Sequence, residues 1–252
     1  ARSPAGIVPT PPPCYPAPVP QTRLRLDQLL SRYGYCSRRE AAAWLKAGRV
    51  RIGALAPRDP SLRVNPAEIL VDGSPVESPD GLLVMLHKPT GCVCSHDDAE
   101  GPRVYDLLPP RWLQRNPPLT SVGRLDKDTS GLLLLTDLGE WVHRWTSPRH
   151  HVEKCYEATL DRPAAPEWIP LFASGGLLLA GDKDPCLPAT LEILDDCQAR
   201  LTLTEGRFHQ VRRMFETVGA RVVRLHRSRF GGYTLGNLAP GQHQVLPLPA
   251  PG

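Results

Sequence analysis

The chain has 252 residues, 41% hydrophobic and 22% charged, enough apolar material to bury a core and too much for a disordered tail. Its 30 basic and 26 acidic residues leave a net charge of +4, and its longest purely aliphatic stretch is the four leucines at 132–135. That falls far short of the ~20 apolar residues a bilayer requires, which excludes a membrane-spanning helix. Seven cysteines without the density of a disulfide scaffold point to reduced thiols and a cytoplasmic setting.

Residues 1–22 carry eight prolines within the first twenty positions and one charge, Arg2. They lack the apolar core of a secretory signal and suit neither a helix nor a central strand, so a disordered, polyproline-like extension is predicted. From residue 23 the pattern changes. Leu26, Leu29, Leu30 and Tyr33 recur at i, i+3, i+4, i+7, predicting a short amphipathic helix that ends at Gly34. Ser37-Arg38-Arg39-Glu40 has capping-box spacing, with the Ser37 hydroxyl accepting from the amide of residue 40 and Glu40 reaching back. A second helix follows, with Ala41, Trp44 and Leu45 as its apolar face and Gly48 as its stop. Arg38 and Arg39 then fall in its first turn. Strands at 50–52 and 69–71 and a turn at Asp72-Gly73 complete a small unit over residues 23–77.

A Ser-Pro-Asp-Gly turn at 78–81 opens a second unit, residues 78–248, with a short tail at 249–252. Apolar runs at 82–86 and 132–135 read as buried strands, and 156–160, 190–194, 200–204 and 222–225 as further strands. Val211, Met214, Phe215 and Val218 give a helix closed by Gly219. Strands and helices interleave irregularly, so the expected class is α+β, a mixed, mainly antiparallel sheet flanked by helices.

Charge is concentrated in two places. Of the net +4, residues 23–51 carry +6 and residues 202–232 carry +5, so the remainder carries −7. Two basic clusters on an otherwise acidic chain suit a polyanion, although charge runs are often only solvated faces.

Three stretches hold candidate chemistry. In 123–136, Asp126 sits in a polar loop between cations and immediately before a buried strand, either as a reactive carboxylate or as a turn cap. In 205–215, Arg212 lies at the edge of an apolar helix face; a guanidinium within ~4–6 Å of Asp126 would lower its pKa by ~1–3 units. In 153–156, Tyr156 opens a strand, where its ring could stack on a nucleobase or be an ordinary half-buried tyrosine. Cys92-x-Cys94 and His150-His151 match no common zinc spacing, and no Gly-x-Ser-x-Gly elbow of a hydrolase is present.

Arg25-Leu26-Asp27, Ser37-Arg38, Gly48-Arg49-Val50 and Val71-Asp72-Gly73 make the small unit resemble an S4 RNA-binding domain, departing from it where Ile52-Gly53-Ala54 stands for the usual Asn-Gly turn. The resemblance implies RNA contacts from Arg25, Arg38, Arg39, Lys46 and Arg49. The second unit resembles the pseudouridine synthases of the ribosomal small-subunit synthase A and large-subunit synthase B, E and F family. The motifs are Lys88-Pro89-Thr90-Gly91 with Cys94-Ser95, the Gly123-Arg124-Leu125-Asp126 to Gly131-Leu132 run, Lys154-Cys155-Tyr156, the run from Glu205 to Phe215, and Leu225-His226-Arg227.

That resemblance implies a cofactor-free isomerisation of uridine in RNA on a flipped-out nucleotide. Asp126 would be the nucleophile, Arg212 would keep it ionised and Tyr156 would lie under the base. Arg124, Leu225, Val211, Lys88, Arg207, Arg213 and Arg227 would bind substrate. Segments 94–98, 146–151 and 183–189 look like the small-subunit branch, which implies one uridine of 16S ribosomal RNA, the U516 equivalent. The expected partner is ribosomal RNA within a small-subunit assembly particle, and the expected state a monomer. The same reaction on 23S ribosomal RNA, or a non-catalytic S4-type RNA-binding protein, are the alternatives.

Overall fold

The computed structural model describes residues 23–249. The expected proline-rich extension, and residues 250–252 of the expected tail, lie outside the described residues.

The small unit comprises β1 (Leu24–Arg25), α1 (Leu26–Arg32), α2 (Ala41–Lys46), β2 (Val50–Ile52), β3 (Arg63–Val64), β4 (Ile69–Val71) and β5 (Ser74–Pro75). Its core is the predicted stripe Leu26, Leu29, Leu30 and Tyr33 with Ala41 and Leu45, closed against Val50, Val64, Ile69 and Val71. Gly48, at φ +71°, terminates α2, and its amide donates to the Leu45 carbonyl. The predicted capping box forms on one side only. Glu40 accepts from the Ser37 amide at 2.8 Å, but the Ser37 hydroxyl donates to the same carboxylate at 2.7 Å. Residues 38–40 form a turn that precedes the helix, so Arg38 and Arg39 stand before α2 and not in its first turn. At the departure from the Asn-Gly pattern, Ile52 and Leu55 close a tight turn through reciprocal backbone bonds of 2.9 and 3.0 Å.

The large unit is a nine-stranded sheet. Its strands are β6 (Leu83–Lys88), β7 (Thr120–Ser121), β8 (Thr129–Thr136), β9 (Lys154–Leu160), β10 (Thr190–Asp195), β11 (Gln198–Leu203), β12 (Val222–Phe230), β13 (Tyr233–Thr234) and β14 (His243–Leu246). The order along the main path is β10-β11-β9-β12-β8-β6-β14, with β13 on β12 and β7 on β8. Among the described residues the β8–β12 pair is parallel and the others antiparallel, as the mixed-sheet expectation has it. Helices α3 (Gly139–Thr146), α4 (Trp168–Ala173) and α5 (Gln210–Thr217) flank it. β6 and β8 are buried on both faces, with Leu83, Val84, Leu86 and the leucines at 132–135 fully inaccessible, which is why they read as unbroken apolar runs. No helix among the described residues is long and apolar enough to cross a membrane.

A clamp at residues 109–116 joins the two units. The Arg115 guanidinium, 0% exposed, pairs with Asp137 at 2.8 Å and donates to the carbonyls of Glu77 and Ser78. Arg111 and the Trp112 indole both hold the Glu77 carboxylate. The Tyr33 hydroxyl donates to the Pro79 carbonyl at 2.7 Å, and a Cβ at Gly34 would fall on the Arg111 carbonyl. Nothing in the sequence pattern pointed to this clamp.

Candidate active site

The β8–β12 pair sets the geometry. Registers place Leu201, Tyr156, Arg227, Gly131 and Lys88 in one row across five strands. Gly131, at φ +121°, lets β12 approach: a Cβ there would collide with the backbone of Arg227. Immediately before β8, a central strand, the loop 123–128 carries Asp126, and the Asp126 carbonyl accepts from the Thr129 amide at 3.1 Å.

The loop is braced from beneath. The Lys88 ammonium donates to the carbonyls of Pro89, Lys127 and Thr129 at 3.1, 3.3 and 2.8 Å, and the Gly91 amide donates to Lys127 at 2.7 Å. The Lys88 side chain is completely buried and its pKa is drawn down by that burial. This corrects the expectation that Lys88 binds substrate. With three carbonyls taking its three protons and no exposed surface, it holds the loop backbone instead. The Lys88-Pro89-Thr90-Gly91 motif is thus a support for the Asp126 loop.

Above the row lies a cleft of about 170 Å³. Asp126, Arg124, Tyr156, Val211, Leu225, Arg207 and Arg227 all line it, so seven of the expected site residues converge from two loops, two central strands and the start of α5. Val211 and Leu225 supply apolar wall, joined by Leu203 and Phe230. Tyr156 is 8% exposed, packed into the core along one edge. Arg227 is 1% exposed; its Nε donates to the Leu132 carbonyl at 2.8 Å, while its Nη2 is buried without a hydrogen-bond partner. Arg124 is exposed and, among the described residues, makes no ion pair.

Arg212 departs from expectation. Its ion pair is with Asp128, Nη2 to Oδ2 2.8 Å, and not with Asp126, and it does not line the cleft. The carboxylate lies off the N–H directions, so Nε and Nη2 have no hydrogen bond, while Nη1 donates to the Val222 carbonyl at 2.9 Å. Within the turn at 126–129, Asp126 lines the cleft and Asp128 meets Arg212 of α5. Beside Asp126 stands His209, Nε2 to Oδ1 3.3 Å. Sequence reasoning did not single out His209; its backbone is left-handed at φ +50°, which no periodicity reveals.

Arg207 and Arg213 were also expected to bind substrate. Both converge on Asp182, at 3.0 and 2.6 Å, and Arg207 also pairs with Glu205 at 3.1 Å. Arg213 does not line the cleft. Their charges are matched internally and tie the 205–209 loop to the 180–185 segment. Lys154 was missed as a cleft residue, although it lies two positions before Tyr156 on one strand and so shares its face. Burial, with Arg227 nearby, pushes its ammonium down to about 8, and it donates to the Val152 carbonyl.

In the small unit, Asp27 gathers Arg25 at 3.1 Å and Arg38 at 3.2 Å, its own pKa lowered chiefly by the bond from Arg25. Arg49 pairs with Asp72 and lies 3.5 Å over the Trp44 ring. Arg39 and Lys46 are exposed.

Residues 82–217 match the RNA pseudouridylate synthase family and residues 24–70 the S4 domain. The chain belongs to the RNA pseudouridylate synthases. It is 43% identical over 228 residues to ribosomal small subunit pseudouridine synthase A of Escherichia coli (strain K12), covering 88% of this chain and 96% of that protein. The like-named protein of Haemophilus influenzae is 39% identical over 226 residues, covering 88% and 96%. A solved structure described as a pseudouridylate synthase superposes with a TM-score of 0.62 at 40% identity, covering 89% of this chain and 96% of that one. A pseudouridylate synthase with an S4 domain is an RNA-modifying isomerase, and the cleft around Asp126 is its candidate reaction site.

Proposed function

We propose that this synthase converts one uridine of 16S ribosomal RNA, the U516 equivalent, to pseudouridine, with Asp126 as the nucleophile. The reading is carried by the position of Asp126 at the mouth of a cleft whose walls suit a pyrimidine. The substrate assignment is supported by the 43% identity to an enzyme named for the ribosomal small subunit. The substrate is read as RNA in a small-subunit assembly particle, met by a monomeric cytoplasmic enzyme.

The isomerisation breaks the N1–C1′ bond, turns the base and makes C5–C1′; C5 loses a proton and N1 gains one, so no net oxidant, reductant or water is needed. Asp126 acts on the sugar or the ring as an ionised carboxylate beside a desolvated nucleotide. Arg212 serves it at one remove, gripping Asp128 and so fixing the loop. Tyr156 lies under the base, Leu225 and Val211 enclose it, and the free Nη2 of Arg227 has a polar atom of the nucleotide as its natural acceptor. Arg124 and the exposed S4 cations meet phosphates.

The test is release of C5 tritium from uridine-labelled 16S transcript and from assembly particles, with the modified position mapped by carbodiimide-dependent primer-extension stops. Asp126→Asn is expected to stop release while filter binding persists. Arg212→Ala is expected to cost turnover about 10²-fold by loosening the loop, with affinity nearly intact. Wild-type protein that binds RNA without releasing tritium would make it a non-catalytic binder, and stops confined to 23S ribosomal RNA would move the substrate.

A further inference from the structure

Phe208 is the most exposed large hydrophobic side chain among the described residues, at 71%, whereas Phe172, Phe215 and Phe230 are each no more than 2% exposed. An isolated apolar ring in water is common enough, but this one is held in place. Its carbonyl accepts from Arg213 Nη1 at 3.2 Å. On one side, the Arg207 amide donates to the Gln210 side chain at 2.8 Å, and the Arg207 guanidinium bonds Asp182 and the Asp184 carbonyl. On the other, the left-handed backbone of His209 folds the two rings together, centroids 3.9 Å apart and planes within 16°. His209 in turn touches Asp126. Asp126 and the imidazole thus both line the cleft, while the phenyl ring stacks on the imidazole just outside it and is largely open to solvent.

We infer that Phe208 is the stacking platform for the nucleobase adjacent to the uridine that enters the cleft. The inference rests on the RNA substrate proposed above. Extruding a base from a strand uncovers the π-face of its neighbour, and an aromatic ring is the side chain that covers such a face whatever the base. A nucleotide seated on Asp126 brings its chain neighbour past the rim, where Phe208 lies one ring-thickness beyond the imidazole. The exposure of the ring, its rigid loop and its parallel stacking on His209 are all accounted for by this one role, which fixes the strand so that the uridine stays extruded.

The test uses the full chain and an RNA fragment spanning the mapped uridine, tritiated at C5, with two further fragments abasic immediately 5′ or 3′ of it. On the intact fragment Phe208→Ala is expected to lower kcat/KM by roughly 5- to 150-fold, the range for one lost base–aromatic stack, while Phe208→Tyr and Phe208→Trp remain close to wild type. On one of the two abasic fragments the wild type should fall by a similar factor, and Phe208→Ala should cost nothing more. An unchanged rate for Phe208→Ala on intact RNA, or an equal loss on all three fragments, would overturn the inference while wild-type release leaves the proposed function standing. Absence of wild-type release from intact RNA would remove both together.

Discussion

The cations of the two units look alike in sequence and are used differently. In the small unit they stay at the surface. Arg39 and Lys46 face solvent, and the side chains of Arg25, Arg38 and Arg49 are 39–54% exposed even though each touches a carboxylate. In the large unit several turn inward, although others such as Arg124 and Arg221 stay exposed. Arg115, Lys88 and Arg227 are almost fully buried, Arg212 is 16% exposed, and Arg207 and Arg213 share Asp182. A basic run therefore has no single meaning. At the end of a short helix with water on three sides it remains a field that phosphates can neutralise. On a central strand or against a loop it becomes a set of donors that hold backbone carbonyls and acidic turns where the reaction needs them.

Breaking the buried kind should have the largest effect. Arg115→Ala leaves the buried Asp137 carboxylate with the Leu82 amide but no cation, and frees two carbonyls at the junction, so a loss of about 3–5 kcal/mol in urea unfolding is expected, as for other one-sided cuts of buried pairs. Arg49→Ala, at the surface of the small unit, should leave the urea midpoint near wild type. Equal losses at the two sites would erase the distinction between the units.

Much of the fold was legible because its signals are local. The strands at 50–52 and 69–71 lie where β-branched and apolar residues sit between turns, and β6 and β8 declare themselves by being apolar on both faces. Where polar residues alternate, the reading fell short: β12 runs on to Phe230 through His226, Arg227 and Arg229, well past the predicted residue 225. Helix α3 went unread because its buried face is only Trp141 and Trp145, one turn apart, and α4 because Pro170 interrupts the pattern. At the site, the cleft-lining residues Asp126, Tyr156, Val211 and Leu225 carried recognisable motifs. The Arg212–Asp128 pair, the His209–Asp126 contact and the burial of Lys88 depend on how a loop presents adjacent side chains in three dimensions, which spacing does not encode.

Salt dependence sharpens the same contrast on a smaller scale. Each exposed cation that meets a phosphate steepens the fall of log affinity with log salt by about one, so Arg39→Ala and Lys46→Ala should each make the slope shallower by about that amount. Arg213→Ala should leave it unchanged, since its guanidinium is matched by Asp182. If instead Arg213 moves the slope and Arg39 and Lys46 do not, the RNA track runs over the large unit alone.

The smallest effect tests a cation between the two kinds, Lys154, which lines the cleft yet is pressed down to about 8 from the ordinary 10.5, first by burial and then by Arg227. Below pH 8 the folded and unfolded chains both carry its proton, and folding bears the full penalty of a desolvated charge. Between about 8 and 10.5 the unfolded chain holds the proton that the folded chain has released, so stability from this group rises with pH. Lys154→Met should therefore be more stable than wild type at pH 7, with the gap closing steadily as urea unfolding is repeated up to pH 10. Over the same range wild-type affinity for RNA should fall as the cleft loses a positive charge, while that of the methionine variant should respond less. A stability gap that stays constant from pH 7 to 10 would mean that Lys154 keeps an ordinary, solvated ammonium and belongs with the surface cations of the small unit.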